Sequence, residues 1–299
     1  MLRIMEVGPR DGLQNEPVPV PTVTKFEFVR ALVDAGLSEI ELSSFVSPKW
    51  VPQLGDAVEL WQMVQQDPTL QHARFSMLVP NRKGLERALE CGVKRICVFT
   101  AASDEFTKRN INQTVEESLQ NFEEVIAEFR CATPDGWVRG YLSTAFDCPY
   151  AGAISPEKTA AVAARLIDLG VDEISIGDTI GVAVPQEVEK LTEFLLEEIA
   201  AEKIAYHFHD TRGTALANVA KAWEMGITVF DSSAAGLGGC PYAKGAGGNL
   251  ATEDLVYFFE RSGVSTGIDL KKLAEASTPI LELLGRPPMA KAQQAVLSA

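Results

Sequence analysis

Four glycines recur in the same local setting, and that setting restricts the fold more than any other feature of the chain. At Ala35-Gly36-Leu37, Cys91-Gly92-Val93, Leu169-Gly170-Val171 and Met225-Gly226-Ile227, a helix-like segment ends in Gly, an apolar residue follows, and a short β-branched run begins. Physically this is a helix stopped by a left-handed residue, where Gly avoids the Cβ penalty, and then a turn into a buried strand. The runs so marked are Glu39 to Leu42, Arg95 to Phe99, Glu173 to Ile176 and Thr228 to Phe230. The glycines are 56, 78 and 56 residues apart, about two βα units each time, so they precede alternate strands of an eight-strand series.

Short apolar or alternating runs supply the strands between them: Leu2 to Val7, Arg74 to Val79, Val138 to Thr144 and Ile204 to His209. Two of the interleaved helices read clearly. Thr24 to Ala35 carries Phe28, Val29, Leu32 and Val33 on one face, and Pro185 to Ala200 opens on Pro and carries Val188, Leu191, Leu195 and Ile199. A βα series of this kind implies a parallel sheet, either closed as a barrel or open and doubly wound. The polar residues favour closure. Arg10 and Asp11 follow strand one, Glu41 lies in strand two, Asp178 follows strand six, and His207 and His209 lie in strand seven. These are strand C-terminal ends, and only a barrel makes strands seven, eight, one and two a contiguous arc. The expectation is a TIM (β/α)8 barrel over residues 1–299, a single catalytic domain with a short C-terminal helical extension from about residue 265.

Charge narrows the partners. With 27 basic and 41 acidic residues the formal charge is −14, which repels phosphate backbones and anionic membranes, and no Lys/Arg run offsets it. Neither nucleic acid nor a membrane is expected as a partner. The five cysteines lack Cys-x-x-Cys spacing and are odd in number, which suits a reducing cytoplasm. No signal-like start or membrane-length apolar run is seen.

His207 and His209 are two apart on a strand, so both rings face one way while Phe208 faces the helices. Neutral imidazoles with an Asp carboxylate and an amide oxygen make a mixed N/O site suited to a divalent metal ion, Mg or Mn, with Zn less expected despite the nearby Cys240. His72 reads as a surface residue. Gly236 to Asn249 holds six glycines in fourteen residues and does not match Gly-x-Gly-x-x-Gly, so it reads as a lid carrying Cys240, with Asn249 at its base, rather than a dinucleotide site. Arg10 brings a permanent charge suited to a developing enolate oxygen, and Asp11 can ligate or move a proton. Glu41, a carboxylate where Val would be expected, needs a cationic partner, for which Arg10 is the candidate.

Five segments carry a family resemblance: VGPRDGLQNE (Val7 to Glu16), SSFVSPKWVPQLGD (Ser43 to Asp56), ISIGDTIGVAVP (Ile174 to Pro185), HFHDTRGTALANV (His207 to Val219) and GLGGCPYAKGAGGNLATED (Gly236 to Asp254). Over nearly its whole length the chain resembles the 3-hydroxy-3-methylglutaryl-CoA lyases, within the metal-dependent barrel lyases and acyl-CoA condensing enzymes. The resemblance implies metal ligands at Asp11, His207, His209 and Asn249, catalytic Arg10 and Cys240, and Glu41 in support. Asp11 and His207 both stand as the acceptor of the hydroxyl proton, and Arg10, Gln14, Asp178 and Asn112 are the expected substrate contacts. It further implies cleavage of the C2–C3 bond of the acyl-CoA to acetyl-CoA and acetoacetate, as in leucine degradation or ketone-body formation, by a homodimer.

Two stretches depart from the family pattern. Pro17 stands where many members carry Lys, so Lys49, Arg82 or Asn112 is expected to hold the nucleotide, and Arg286 to Ala299 matches no familiar pattern. A related 3-hydroxy-3-alkylglutaryl-CoA substrate stays open. A synthase of the isopropylmalate or homocitrate type is disfavoured because the chain ends about 45 residues after the lid, and a non-catalytic barrel because the reactive residues are all present.

Overall fold

Each of the four marked glycines stands at positive φ, between +69° and +107°, and each is followed by a strand. The computed structural model describes residues 1–239 and 248–298. Its strands are β1 (Arg3–Glu6), β2 (Glu39–Ser44), β3 (Arg74–Leu78), β4 (Arg95–Ala101), β5 (Trp137–Ser143), β6 (Glu173–Asp178), β7 (Ile204–Phe208) and β8 (Val229–Ser232). All pair in parallel with their neighbours, and β1 closes on β8 through Arg3↔Val229 to Glu6↔Ser232. The sheet is therefore the closed barrel, not the open alternative.

The helices α1 (Thr22–Asp34), α2 (Ala57–Gln66), α3 (Arg82–Glu90), α4 (Asp104–Ile111), α5 (Val115–Ala132), α6 (Pro156–Asp168), α7 (Pro185–Leu196), α8 (Ala215–Glu224) and α9 (Thr252–Arg261) connect and surround the strands. The short α4 and a small antiparallel ribbon, Asp147–Cys148 with Gly152–Ala153, add to the plain βα series. Helix α7 ends earlier than the apolar period suggests. Ile199 is still buried, but it is carried there by a turn onto the Leu195 carbonyl. Three short helices, α10 (Leu270–Ala276), α11 (Thr278–Leu284) and α12 (Lys291–Leu297), form the C-terminal extension. Among the described residues no helix is long and apolar enough to cross a membrane, and all four described cysteines are free thiols.

The extension grips the barrel where α1 ends. Asp269 N–H donates to the Ala35 carbonyl at 2.8 Å, and a Cβ on Gly36 would lie 2.6 Å from the Gly267 oxygen, whereas one on Gly92 would meet nothing within 4 Å. Replacing Gly92 with Ala should therefore cost about 1–2 kcal/mol from backbone handedness alone. Gly36→Ala should cost clearly more, because the extension must also shift. Urea denaturation of the two variants compares them, and equal losses would show that the Gly267 contact is not tight.

The bore of the barrel is charged as well as apolar. Near its N-terminal end Arg3, Arg74 and Arg95 surround Glu39 at 3.6, 3.2 and 2.8 Å, and Arg3 also pairs with Glu173. Glu173 Oε1 lies 2.9 Å from Arg139 Nε, and Arg139 Nη2 donates to Asp231 Oδ1 at 2.7 Å. Arg139 is fully buried, a placement that is tolerable only because both carboxylates face it. A chain of alternating charge thus runs up the bore toward the strand C-termini.

Candidate active site

Past β1 the backbone makes a wide π-type turn, Gly8–Gly12, in which the amides of Arg10, Asp11 and Gly12 all donate to the Val7 carbonyl. This geometry sends the Arg10 and Asp11 side chains over the bore. Arg10 Nη2 lies 2.7 Å from Glu41 Oε2 and Nη1 donates to Asp11 Oδ1 at 2.7 Å, with Gln14 Oε1 at 3.5 Å. The guanidinium also sits 5.3 Å from the centre of the Tyr141 ring, and Tyr141 donates its hydroxyl to Glu41 Oε2 at 2.9 Å. Burial opposes the charge of Arg10, but Glu41 and Asp11 more than offset it and keep the group cationic.

The histidines take the predicted alternation. Tyr206 and Phe208 stack with ring centres 5.0 Å apart on the outer face, and the Tyr206 hydroxyl meets Thr192 of α7 at 2.7 Å. His207 and His209 face the bore with their Nε2 atoms 3.2 Å apart. Asp11 joins them, and one ligand atom from each of the three lies within 4.8 Å of the others. Asn249 arrives from the far side of residues 240–247. Its segment pairs with the end of β7, through a His209↔Asn249 bridge and a 2.9 Å bond from Leu250 N–H to the Phe208 carbonyl. Asn249 Nδ2 donates to Asp11 Oδ2 at 2.8 Å, while its Oδ1 is buried without a hydrogen-bond partner.

A carboxylate and two imidazoles gathered in this way could hold a divalent cation, and Asn249, bonded to the same carboxylate, has a buried amide oxygen without a partner. The electrostatics agree. Burial and the neighbouring His207 push His209 down to about 3, so it is a neutral imidazole with a lone pair to offer. Although burial works against it, the charge of Arg10 and the hydrogen bond from Asn249 help to lower Asp11 to about 2.

The other candidate residues stand elsewhere or outside the described residues. Asp178 ends β6, but its carboxylate accepts from the amides of Val182 and Ala183 at 3.0 and 2.9 Å, so it closes its own loop. Asn112 is an exposed left-handed C-cap of α4. Lys49 and Arg82 are exposed, and Arg82 is paired with Glu128 at 3.1 Å. His72 is exposed as expected, and Cys240 lies outside the described residues.

Sequence reading missed Arg139, Tyr141 and Asp231. Asp231 carried the same signal as Glu41, an acid inside an apolar strand.

The HMGL-like family matches residues 1–280 of the chain. The chain belongs to that family. Among its relatives, the mitochondrial hydroxymethylglutaryl-CoA lyase of Homo sapiens is 49% identical over 294 residues, covering 98% of this chain and 89% of the relative. The crystal structure of hydroxymethylglutaryl-CoA lyase from Pseudomonas aeruginosa superposes with a TM-score of 0.95 at 45% identity, covering 99% of this chain and 97% of the other. The structure of an HMG-CoA lyase from A. baumannii in complex with coenzyme A and 3-methylmalate has a TM-score of 0.91 at 37% identity, covering 99% and 95%. The lyases of these comparisons thus match the chain over nearly its full length.

Proposed function

We propose that this protein is a hydroxymethylglutaryl-CoA lyase that cleaves 3-hydroxy-3-methylglutaryl-CoA to acetyl-CoA and acetoacetate. The observation that carries the reading is the gathering of Asp11, His207 and His209, with Asn249 bonded to Asp11, beside a buried, permanently charged Arg10, in a chain nearly half identical to lyases of that name. Asp11, His207, His209 and Asn249 would hold a divalent ion, Mg or Mn. Held there, such an ion would supply Lewis-acid polarisation of the substrate's oxygens.

The remaining chemistry belongs to side chains. The hydroxyl proton leaves for Asp11 or His207, the two groups of the cluster whose other contacts, to Arg10 and to Asp231, hold them in place. As the C3–O bond becomes a carbonyl, the C2–C3 bond breaks and its electron pair passes into the thioester as an enolate. Arg10 faces that developing oxyanion with donors that Glu41 and Asp11 hold in place. Cys240 delivers the proton to C2 that completes acetyl-CoA. Gln14, tied to Arg10, lies at the edge of the same site. The acyl-CoA is the partner in this reading, the assembly is a homodimer, and the compartment is the cytoplasm.

Incubation with 3-hydroxy-3-methylglutaryl-CoA and Mg or Mn should yield acetoacetate, and chelator should stop the reaction until metal is returned. Undiminished turnover by enzyme freed of metal would end the proposal.

A further inference from the structure

The reading of Asp11, His207, His209 and Asn249 as metal ligands is the footing for a further assignment. Asp231 touches none of the reacting positions, yet it is fully enclosed beneath them. In the strand register it stands beside His207. Its Oδ2 lies 3.2 Å from His207 Nδ1 and accepts from Ser175 Oγ at 2.7 Å, while its Oδ1 accepts from Arg139 Nη2 at 2.7 Å. We propose that Asp231 is a positioning residue: its carboxylate holds the proton of His207 on Nδ1 and aims a bare Nε2 at the ligand cluster.

The argument is one of donors and acceptors. An ionised carboxylate accepts only, so the His207 nitrogen facing it must carry hydrogen. The opposite nitrogen, Nε2, is then free of hydrogen in the neutral ring, which is what ligation requires. Arg139 Nη2 donates to one oxygen of Asp231 and Ser175 Oγ to the other, so the carboxylate meets the His207 ring with lone pairs only. Asparagine cannot reproduce this arrangement. Its single oxygen can serve Arg139 or the His207 side, and its NH2 must then face either the guanidinium or Nδ1. The first sets two donors against each other. The second moves the ring proton to Nε2, where it blocks the ligand.

Two measurements test this. Calorimetric titration with Mn2+ should show Asp231→Asn binding 10- to 100-fold more weakly than wild type, the range for a lost outer-shell partner, with an unchanged circular dichroism spectrum. Because the substitution also strips charge from the buried Arg139, a second measurement uses the wild type. Nitrogen-15 NMR of the ring-labelled, Mg2+-saturated protein, which has only three histidines, should find His207 protonated at Nδ1 and bare at Nε2. Equal Mn2+ affinity in a folded Asp231→Asn protein would overturn the assignment while leaving the ligand reading intact, whereas a proton on Nε2 of His207 would overturn the assignment and remove His207 from the ligand set. A wild type that binds no Mn2+ would overturn both.

Discussion

Arg10→Lys is expected to lose about 10²- to 10³-fold in kcat, with KM changing much less. That loss corresponds to ~3–4 kcal/mol, the typical effect of removing one donor to a developing oxyanion. The structure gives the reason. Arg10 uses one arm on Glu41 and the other on Asp11, each at 2.7 Å, and still has N–H groups left because a guanidinium carries five in a planar fork. Its buried Nε has no partner within the protein. An ammonium is a point charge with three donors. It can neutralise Glu41, which is fully buried, or reach the substrate oxygen, but it cannot span both with the fork's geometry. Steady-state kinetics beside a thermal melt would check the prediction. A variant with wild-type kcat and a raised KM would make Arg10 a substrate-binding group instead.

His207→Ala and His209→Ala should each weaken Mn2+ binding by on the order of 10²-fold or more, at least ~2.7 kcal/mol. The two differ in what they leave behind. Removing His207 deprives Asp231 of one partner, although Arg139 and Ser175 remain on it. Removing His209 takes away a ring whose Nδ1 is buried with no partner, so no hydrogen bond from that atom is sacrificed. The His209 variant should therefore unfold, in chelator, at a temperature nearer that of wild type than the His207 variant does. Calorimetry gives the affinities and a melt gives the second comparison. Unchanged Mn2+ affinity in both variants would remove them from the ligand set.

What the chain discloses without its structure follows from which interactions are local. The helix-Gly-strand signal of Gly36, Gly92, Gly170 and Gly226 is local, and it located β2, β4, β6 and β8 to within about two residues. The His-x-His alternation of β7 is local too, and both rings share a face as the two-residue period requires. Asp178 shows what a sequence leaves out. A carboxylate at a strand end looks like a site residue, but two amides four and five residues ahead fold back onto it, a loop geometry that composition does not announce. Arg139 and Asp231 lie 92 residues apart. Either alone is an oddity in an apolar strand, and only barrel closure shows that each is the other's partner.

The charged bore bears on how this chain selects one sheet topology during folding. Arg139 of β5 reaches Asp231 of β8, Tyr141 of β5 reaches Glu41 of β2, and Arg3 of β1 reaches Glu173 of β6. Around the barrel each pair is separated by three strand steps, which in a flat sheet would be about 14 Å at the usual spacing of ~4.8 Å. These contacts therefore do not survive in an unrolled sheet with the same strand order. Stranding one member of a buried charge pair costs about 3–5 kcal/mol, so an open intermediate that buried this face would carry that penalty at Arg139 and Asp231. Rolling up is then an all-or-none event, rewarded only when β1 meets β8, and the same step assembles the arc of strand ends on which Arg10, Asp11, His207 and His209 stand.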